Sequence, residues 1–385
     1  MKTTLLLFIL VISFSFYGQN QTFSIHPNLT DANYDLNDND NTITINTVSQ
    51  NNKLFLFLGG TGTNTTSYNA LINKAADIGY DVINLSYYNS TAAASLSGNS
   101  DSLVFNKFRQ ELCFGTTVSG DISIDTLHSI YQRTVNLLNY LSVNYPAHNW
   151  SQYLNSPTTL NWDKIAVGGH SQGSGHAAYL AKYYNVNRVL MFSGPNDYHN
   201  IYLRSANWLR TPGVTPYYKH YSYLSLNDET VDYAKQLENI IGLGMFQGDD
   251  STYIDNLNTP YGFSRCLYTT QPPTFVIINH NVTTKNTTIN QDVWYYMLTD
   301  ESSLNAIELS HTKFKIYPNP ANNILHLQIE GNSFNKDYSI IDLQGKTILS
   351  GKTGNETDLL VPIDIISSGS YIFKLDTQNI PLIIR

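Results

Sequence analysis

Cysteine is nearly absent from this chain: Cys113 and Cys266 are the only two in 385 residues. Two thiols close at most one disulfide, and Cys113–Cys266 is the single bridge an oxidising compartment would permit. Two cysteines alone do not make a structural zinc site, and neither has the setting of a catalytic thiol. Charge is scarce as well: 14% of residues carry it and the net is −8. Binding phosphate backbones requires a basic patch, and none is present, which argues against nucleic acid as a partner. Neither the G-x-G-x-x-G spacing nor a Walker lysine occurs, so the glycine-rich run Gly59-Gly60-Thr61-Gly62-Thr63 is not a nucleotide site. Asp35 to Asn41 is acidic like a calcium loop but lacks its glycine and its distal glutamate. No metal and no cofactor is expected.

Long apolar runs are missing too, with one exception at the N-terminus. Lys2 precedes Leu5 to Phe16, which is too short to span a bilayer comfortably, and small and polar residues follow at Gly18-Gln19-Asn20. Residues 1–18 are therefore expected to be a signal peptide. The mature protein should be exported through the periplasm, without a transmembrane segment. The length exceeds what one domain usually uses. The expected division is a first domain over 19–300, a linker over 301–312 and a second domain over 313–385.

Strands and helices alternate through the first domain. Leu54 to Leu58 reads as a buried strand, Tyr68 to Ile78 as a helix, and Tyr80 to Leu85 as a strand. A long helix is expected over Ile124 to Asn144, ended by Pro146. Lys164 to Gly168, Arg188 to Phe192, Tyr221 to Leu226 and Thr274 to Ile278 read as further strands. Val231 to Ile241 and Gln291 to Leu298 read as further helices. This alternation implies βαβ units and a mostly parallel sheet covered on both faces. Tyr87 to Gly120 and Pro195 to Pro216 read as insertions that could cover a cleft.

One segment carries chemistry. Gly169-His170-Ser171-Gln172-Gly173 sits between a strand and the helix His176 to Tyr183, the context in which a serine is held on a sharp turn with its hydroxyl exposed. The alternative is a Gly/Ser turn with no chemistry. A serine hydroxyl needs a base to become a nucleophile, and histidine is the usual one. Ligands in an open α/β sheet sit beyond the carboxyl ends of the strands. His280 follows a strand and lies downstream of the candidate acids. His170 should point away from Ser171, His176 suits packing, His220 precedes its strand, and His199 lies upstream of the best acid. Asp228 falls between Ser171 and His280 and is the first candidate to orient the base. Asp197 is the alternative acid and Glu229 a weaker third. Asp228 could equally cap the following helix. The oxyanion donors should be the amide of Gln172 and amides of Gly60 and Thr61 in the loop after the earlier strand.

Gly169 to Ala178, Arg188 to Asp197, Leu58 to Gly62, Gly79 to Tyr87 and Asp292 to Leu298 together resemble a group of secreted bacterial α/β hydrolases. The resemblance spans roughly Lys53 to Leu298. It implies an α/β-hydrolase fold and a serine hydrolase with Ser171 as nucleophile and His280 as base, and it leaves the acid and the substrate open. A small or polymeric ester is the expected substrate. A non-catalytic binding protein or a peptidase on the same scaffold are the alternatives.

The tail changes character. Ile324 to Ile329, Tyr338 to Asp342, Lys346 to Leu349 and Tyr371 to Leu375 alternate with period two between Gly and Asn turns, which reads as a small all-β sandwich. Tyr317-Pro318-Asn319-Pro320-Ala321, Gly369-Ser370-Tyr371 and the final Arg385 resemble a type A sorting domain of the type IX secretion system. This implies engagement of that secretion machinery, then release or attachment at the cell surface.

Overall fold

The computed structural model describes residues 20–35, 38–245, 251–272, 278–299, 313–330, 336–343, 345–354, 356, 358–375 and 378–385. The expected signal peptide, the expected linker and most of the strand expected over Thr274 to Ile278 lie outside the described residues.

The body is built on nine strands: β1 Asn20–Ile25, β2 Asn41–Asn46, β3 Leu54–Leu58, β4 Asp81–Leu85, β5 Ile165–His170, β6 Arg188–Phe192, β7 His220–Ser225, β8 Ser251–Tyr253 and β9 Cys266–Thr269. Their order is β1-β2-β4-β3-β5-β6-β7-β9-β8. Neighbours from β4 to β8 run parallel. β1 runs antiparallel to β2, and β2 antiparallel to β4. The sheet is therefore mixed, and every other sheet in the described chain is antiparallel. The expectation of a mostly parallel α/β-hydrolase sheet is corrected accordingly. The reversal comes from the Asn- and Thr-rich N-terminal segment, whose two strands pair residue by residue from Asn20↔Asn46 to Ile25↔Asn41.

Both faces of the sheet are covered by α1 Asn69–Asp77, α2 Val104–Phe114, α3 Ile130–Asn144, α4 Gln172–Tyr183, α5 Tyr233–Gly242 and α6 Thr288–Thr299. Side chains alternate across a strand, and β3 shows why an unbroken apolar run suits its central place. Leu54, Leu56 and Leu58 enter the core with α2 to α5. Phe55 and Phe57 enter the core with α1 and α6. Each such side chain, fully removed from water, stabilises by about 2 kcal/mol. α3 begins at Ile130 rather than near Ile124, because Ser129 caps it by accepting from the Gln132 amide.

The expected insertion over Tyr87 to Gly120 is not a detached flap. It contains α2, whose Val104, Phe105, Phe108 and Leu112 are buried in the main core. The second segment, Pro195 to Pro216, is tied to it where Asn200 donates its amide to Ser97 O at 2.8 Å.

The tail forms two antiparallel sheets of three and four strands around Phe314, Leu325, Leu327, Ile340, Phe373 and Leu382. It rests on the body through Ile372 and Ile383 and through an ion pair of 2.7 Å between Arg385 and Glu238. Among the described residues no helix is long and apolar enough to cross a membrane.

Candidate active site

Ser171 lies between β5 and α4 with φ +55° and ψ −119°. L-residues rarely occupy that region, and holding one there costs on the order of 1–3 kcal/mol. The surroundings enforce it. The Ser171 amide donates to Phe192 O at 2.8 Å, and the elbow glycines leave no room for a side chain. A Cβ on Gly173 would fall 2.0 Å from Leu58 O, and one on Gly169 would fall 2.2 Å from the Gly173 carbonyl carbon. Ser171 is half-buried while Gln172 to Ala181 are buried.

β7 ends at Ser225, and the loop after it presents Asp228. The carboxylate divides its work. Oδ1 accepts from the Thr230 and Val231 amides at 2.9 and 3.0 Å, and Oδ2 accepts from Gln236 Nε2 at 2.8 Å and from His280 Nδ1 at 2.6 Å. Holding the backbone and orienting the histidine are thus compatible roles for the two oxygens. Burial alone would raise the Asp228 carboxyl. The bond and charge of His280, the Val231 amide and Gln236 outweigh it and hold the group below the usual carboxylate range.

His280 sits in a short 3₁₀ turn, Asn279–Thr284. Glu229 accepts the Asn279 amide at 2.8 and 2.9 Å, so it anchors this turn. With Nδ1–H given to Asp228, His280 Nε2 is left as the acceptor nitrogen, and it is buried without a partner.

His170 links the elbow to this histidine. Its ring lies 5.1 Å from that of His280, and its Nε2 faces the His280 carbonyl at 3.1 Å. A carbonyl only accepts, so Nε2 carries the proton and Nδ1 accepts from the Tyr68 hydroxyl at 3.1 Å. The Tyr68 oxygen in turn accepts the Gly60 amide at 2.9 Å. Burial, and then the neighbouring His280, push His170 down to about 3, so its ring is neutral.

That chain corrects one expected oxyanion donor. The Gly60 amide is committed to Tyr68, so Gly60 serves by close approach instead: a Cβ there would stand 3.1 Å from His170 Nδ1 and 3.3 Å from Ser171 Cβ. The Thr61 hydroxyl donates to Gln172 Oε1 at 3.1 Å, which joins the loop to the start of α4. The amides of Thr61 and Gln172 have no partner among the described residues and lie at this junction.

The alternative acid, Asp197, is placed elsewhere. It is fully buried and accepts from Arg109 Nε and Nη2 at 2.9 and 2.5 Å and from Trp208 Nε1 at 2.8 Å. Arg109 also donates to Gln172 O at 2.7 Å and contacts His176 Nδ1 at 3.0 Å. Asp197 therefore belongs to a structural pair beneath α4. The Cys113–Cys266 bridge is not formed either. Both thiols are buried and free: Cys113 lies against His176 and Cys266 accepts from Ser222 Oγ. Burial raises both, Cys266 to about 12. Among the described residues no cluster of His, Cys, Asp and Glu is arranged to hold a metal ion.

Sequence reasoning passed over Tyr68, Arg109, Gln236 and Asn196. Asn196 follows β6 on the ligand-facing rim, the same positional signal that singled out Asp197, and its Nδ2 lies 3.3 Å from Ser171 Oγ. Arg109 carried no signal, because its partner is 88 residues away.

Compared with curated proteins, the chain finds no match. Compared with family models, residues 315–384 match the secretion system C-terminal sorting domain. The match covers the tail and concerns export rather than chemistry. The tail is thus a type IX secretion sorting domain, and the protein is secreted or displayed at the cell surface.

Proposed function

We propose that the body is a serine hydrolase acting on carboxylic esters through an acyl-enzyme on Ser171. The observation that carries this reading is the Asp228–His280 bond of 2.6 Å, which leaves His280 Nε2 unpartnered while the His280 ring packs 5.1 Å from that of His170, the residue before a serine held at positive φ. Ser171 gives its proton to Nε2 as Oγ attacks the acyl carbon. The oxyanion is received by the Thr61 and Gln172 amides, each worth about 3 kcal/mol in the transition state. His280 then delivers the proton to the departing alcohol, and water activated by the same nitrogen releases the acid. Asp228 holds the tautomer and stabilises the imidazolium.

Esters are favoured over amides because an alcohol leaves more readily than an amine. The sorting tail brings the enzyme to the cell exterior and engages the type IX machinery on the way; small or polymeric esters are the substrate class this reading assigns. The test is hydrolysis of p-nitrophenyl esters of increasing chain length beside the matching anilides, for wild type and Ser171→Ala. Ester turnover lost in the variant supports the proposal. Turnover unchanged in the variant overturns it, and preferential anilide cleavage replaces esterase with peptidase.

A further inference from the structure

The turn after β6 comes within hydrogen-bonding reach of the nucleophile. Ser193-Gly194-Pro195-Asn196 passes over the first turn of α4, so closely that a Cβ on Gly194 would lie 2.2 Å from Ser174 Oγ and 2.9 Å from Ser171 O. Two anchors fix it. Buried Asn239 on α5 donates to Pro195 O at 2.8 Å, and Asp197 is clamped by Arg109 and Trp208. Between them, Asn196 is 4% exposed. Its Nδ2 reaches Ser171 Oγ at 3.3 Å, and its Oδ1 is buried without a partner. Burying an amide with half its capacity unused is unfavourable, so this side chain serves the fold poorly. Among the described residues, the one side-chain atom it hydrogen-bonds is the oxygen that would form and break the acyl bond.

We propose that Asn196 is a catalytic residue that donates Nδ2–H to Ser171 Oγ. This rests on the serine-hydrolase reading of the same site. Donation to an Oγ lone pair leaves the hydroxyl proton free to point at His280 Nε2. It also stabilises Oγ when charge develops there. That demand is greatest in deacylation: the tetrahedral adduct collapses, the carbon–Oγ bond breaks, its electron pair returns to Oγ, and the His280 imidazolium supplies the proton. The Asn196 amide meets that electron pair before the proton arrives.

The experiment is stopped-flow hydrolysis of p-nitrophenyl acetate by the full chain carrying Asn196→Ala or Asn196→Asp. The expected result is a steady-state rate 10- to 100-fold below wild type, with the burst rate reduced less, because release of Oγ is the step that suffers most. The Asp variant, equal in size, should regain rate as pH is lowered and its carboxyl becomes a donor. Melting temperatures separate this from misfolding, and the near-isosteric Asp variant decides if the Ala variant is unstable. If wild type shows burst and turnover while both folded variants match it, Asn196 is structural and only this inference falls. If wild type shows neither, the hydrolase reading falls and takes this one with it.

Discussion

Asp228→Asn isolates the orienting acid. In the wild type, Oδ2 faces two donors, His280 Nδ1–H and Gln236 Nε2–H. An asparagine that keeps its oxygen toward the Thr230 and Val231 amides turns an NH₂ toward both. His280 escapes the clash by moving its proton to Nε2, so that Nδ1 accepts. The nitrogen that must take the Ser171 proton is then already protonated. A wrong tautomer of this kind costs about 10⁴-fold in kcat, which corresponds to about 5 kcal/mol in the barrier. The change also weakens two charge-assisted bonds, together about 3 kcal/mol of stability. The wild-type carboxylate is held below its ordinary range, so the stability it contributes is complete above the unfolded value and is lost only as pH falls through the lower folded value. The assay is kcat/KM for p-nitrophenyl butyrate against pH, with unfolding by urea alongside. A folded Asp228→Asn protein within tenfold of wild type would show that His280 does not depend on this carboxylate for its tautomer.

Asp197→Asn gives the opposite pattern. It leaves Arg109 buried without its counter-charge, so stability falls by about 3–5 kcal/mol, while kcat/KM per folded molecule stays within a few-fold of wild type; a selective loss of kcat would return Asp197 to the acid role. His170 is neutral in the fold at about 3, against about 6.5 when unfolded. The unfolded chain therefore binds the extra proton between those values, and stability declines as pH falls from 7 towards 3, by about 2–3 kcal/mol at pH 4.5. His170→Gln should remove that share of the pH dependence in urea titrations, and an unaltered slope would contradict it. Gly60→Ala drives a methyl against His170 Nδ1 and Ser171 Cβ and should lower kcat at least tenfold with little change in melting temperature; wild-type kcat would show that the loop has slack.

The elbow was legible because its demands are local. Gly169 and Gly173 are forced by contacts within the turn and with β3, so the spacing alone exposed them. Asp228 was legible from its place after β7 and His280 from chain order, while the strand expected before His280 over Thr274 to Ile278 lies, except for Ile278, outside the described residues. The sheet was less so. A strand was legible over Thr42 to Val48, where β2 lies, but its antiparallel direction was not, and nothing in the mostly polar composition of β1 tells an edge strand from a polar leader. α2 was hidden by its charges: Arg109 is buried against Asp197, and Glu111 is buried accepting the Val118, Ser119 and Ile124 amides, so a core helix resembled a polar insertion. The error over Gly60 has the same origin. The Tyr68 hydroxyl that takes its amide arrives from a different element, just ahead of α1, and pairings between elements leave no periodic trace.

Whether Ser171 is an activated nucleophile is decided by mass spectrometry of the full chain after incubation with a fluorophosphonate, an agent that phosphonylates activated serines. One adduct per molecule is expected, mapped to Ser171, absent from Ser171→Ala and formed far more slowly by Asp228→Asn. No adduct on folded wild type, or an adduct on another residue, would contradict it.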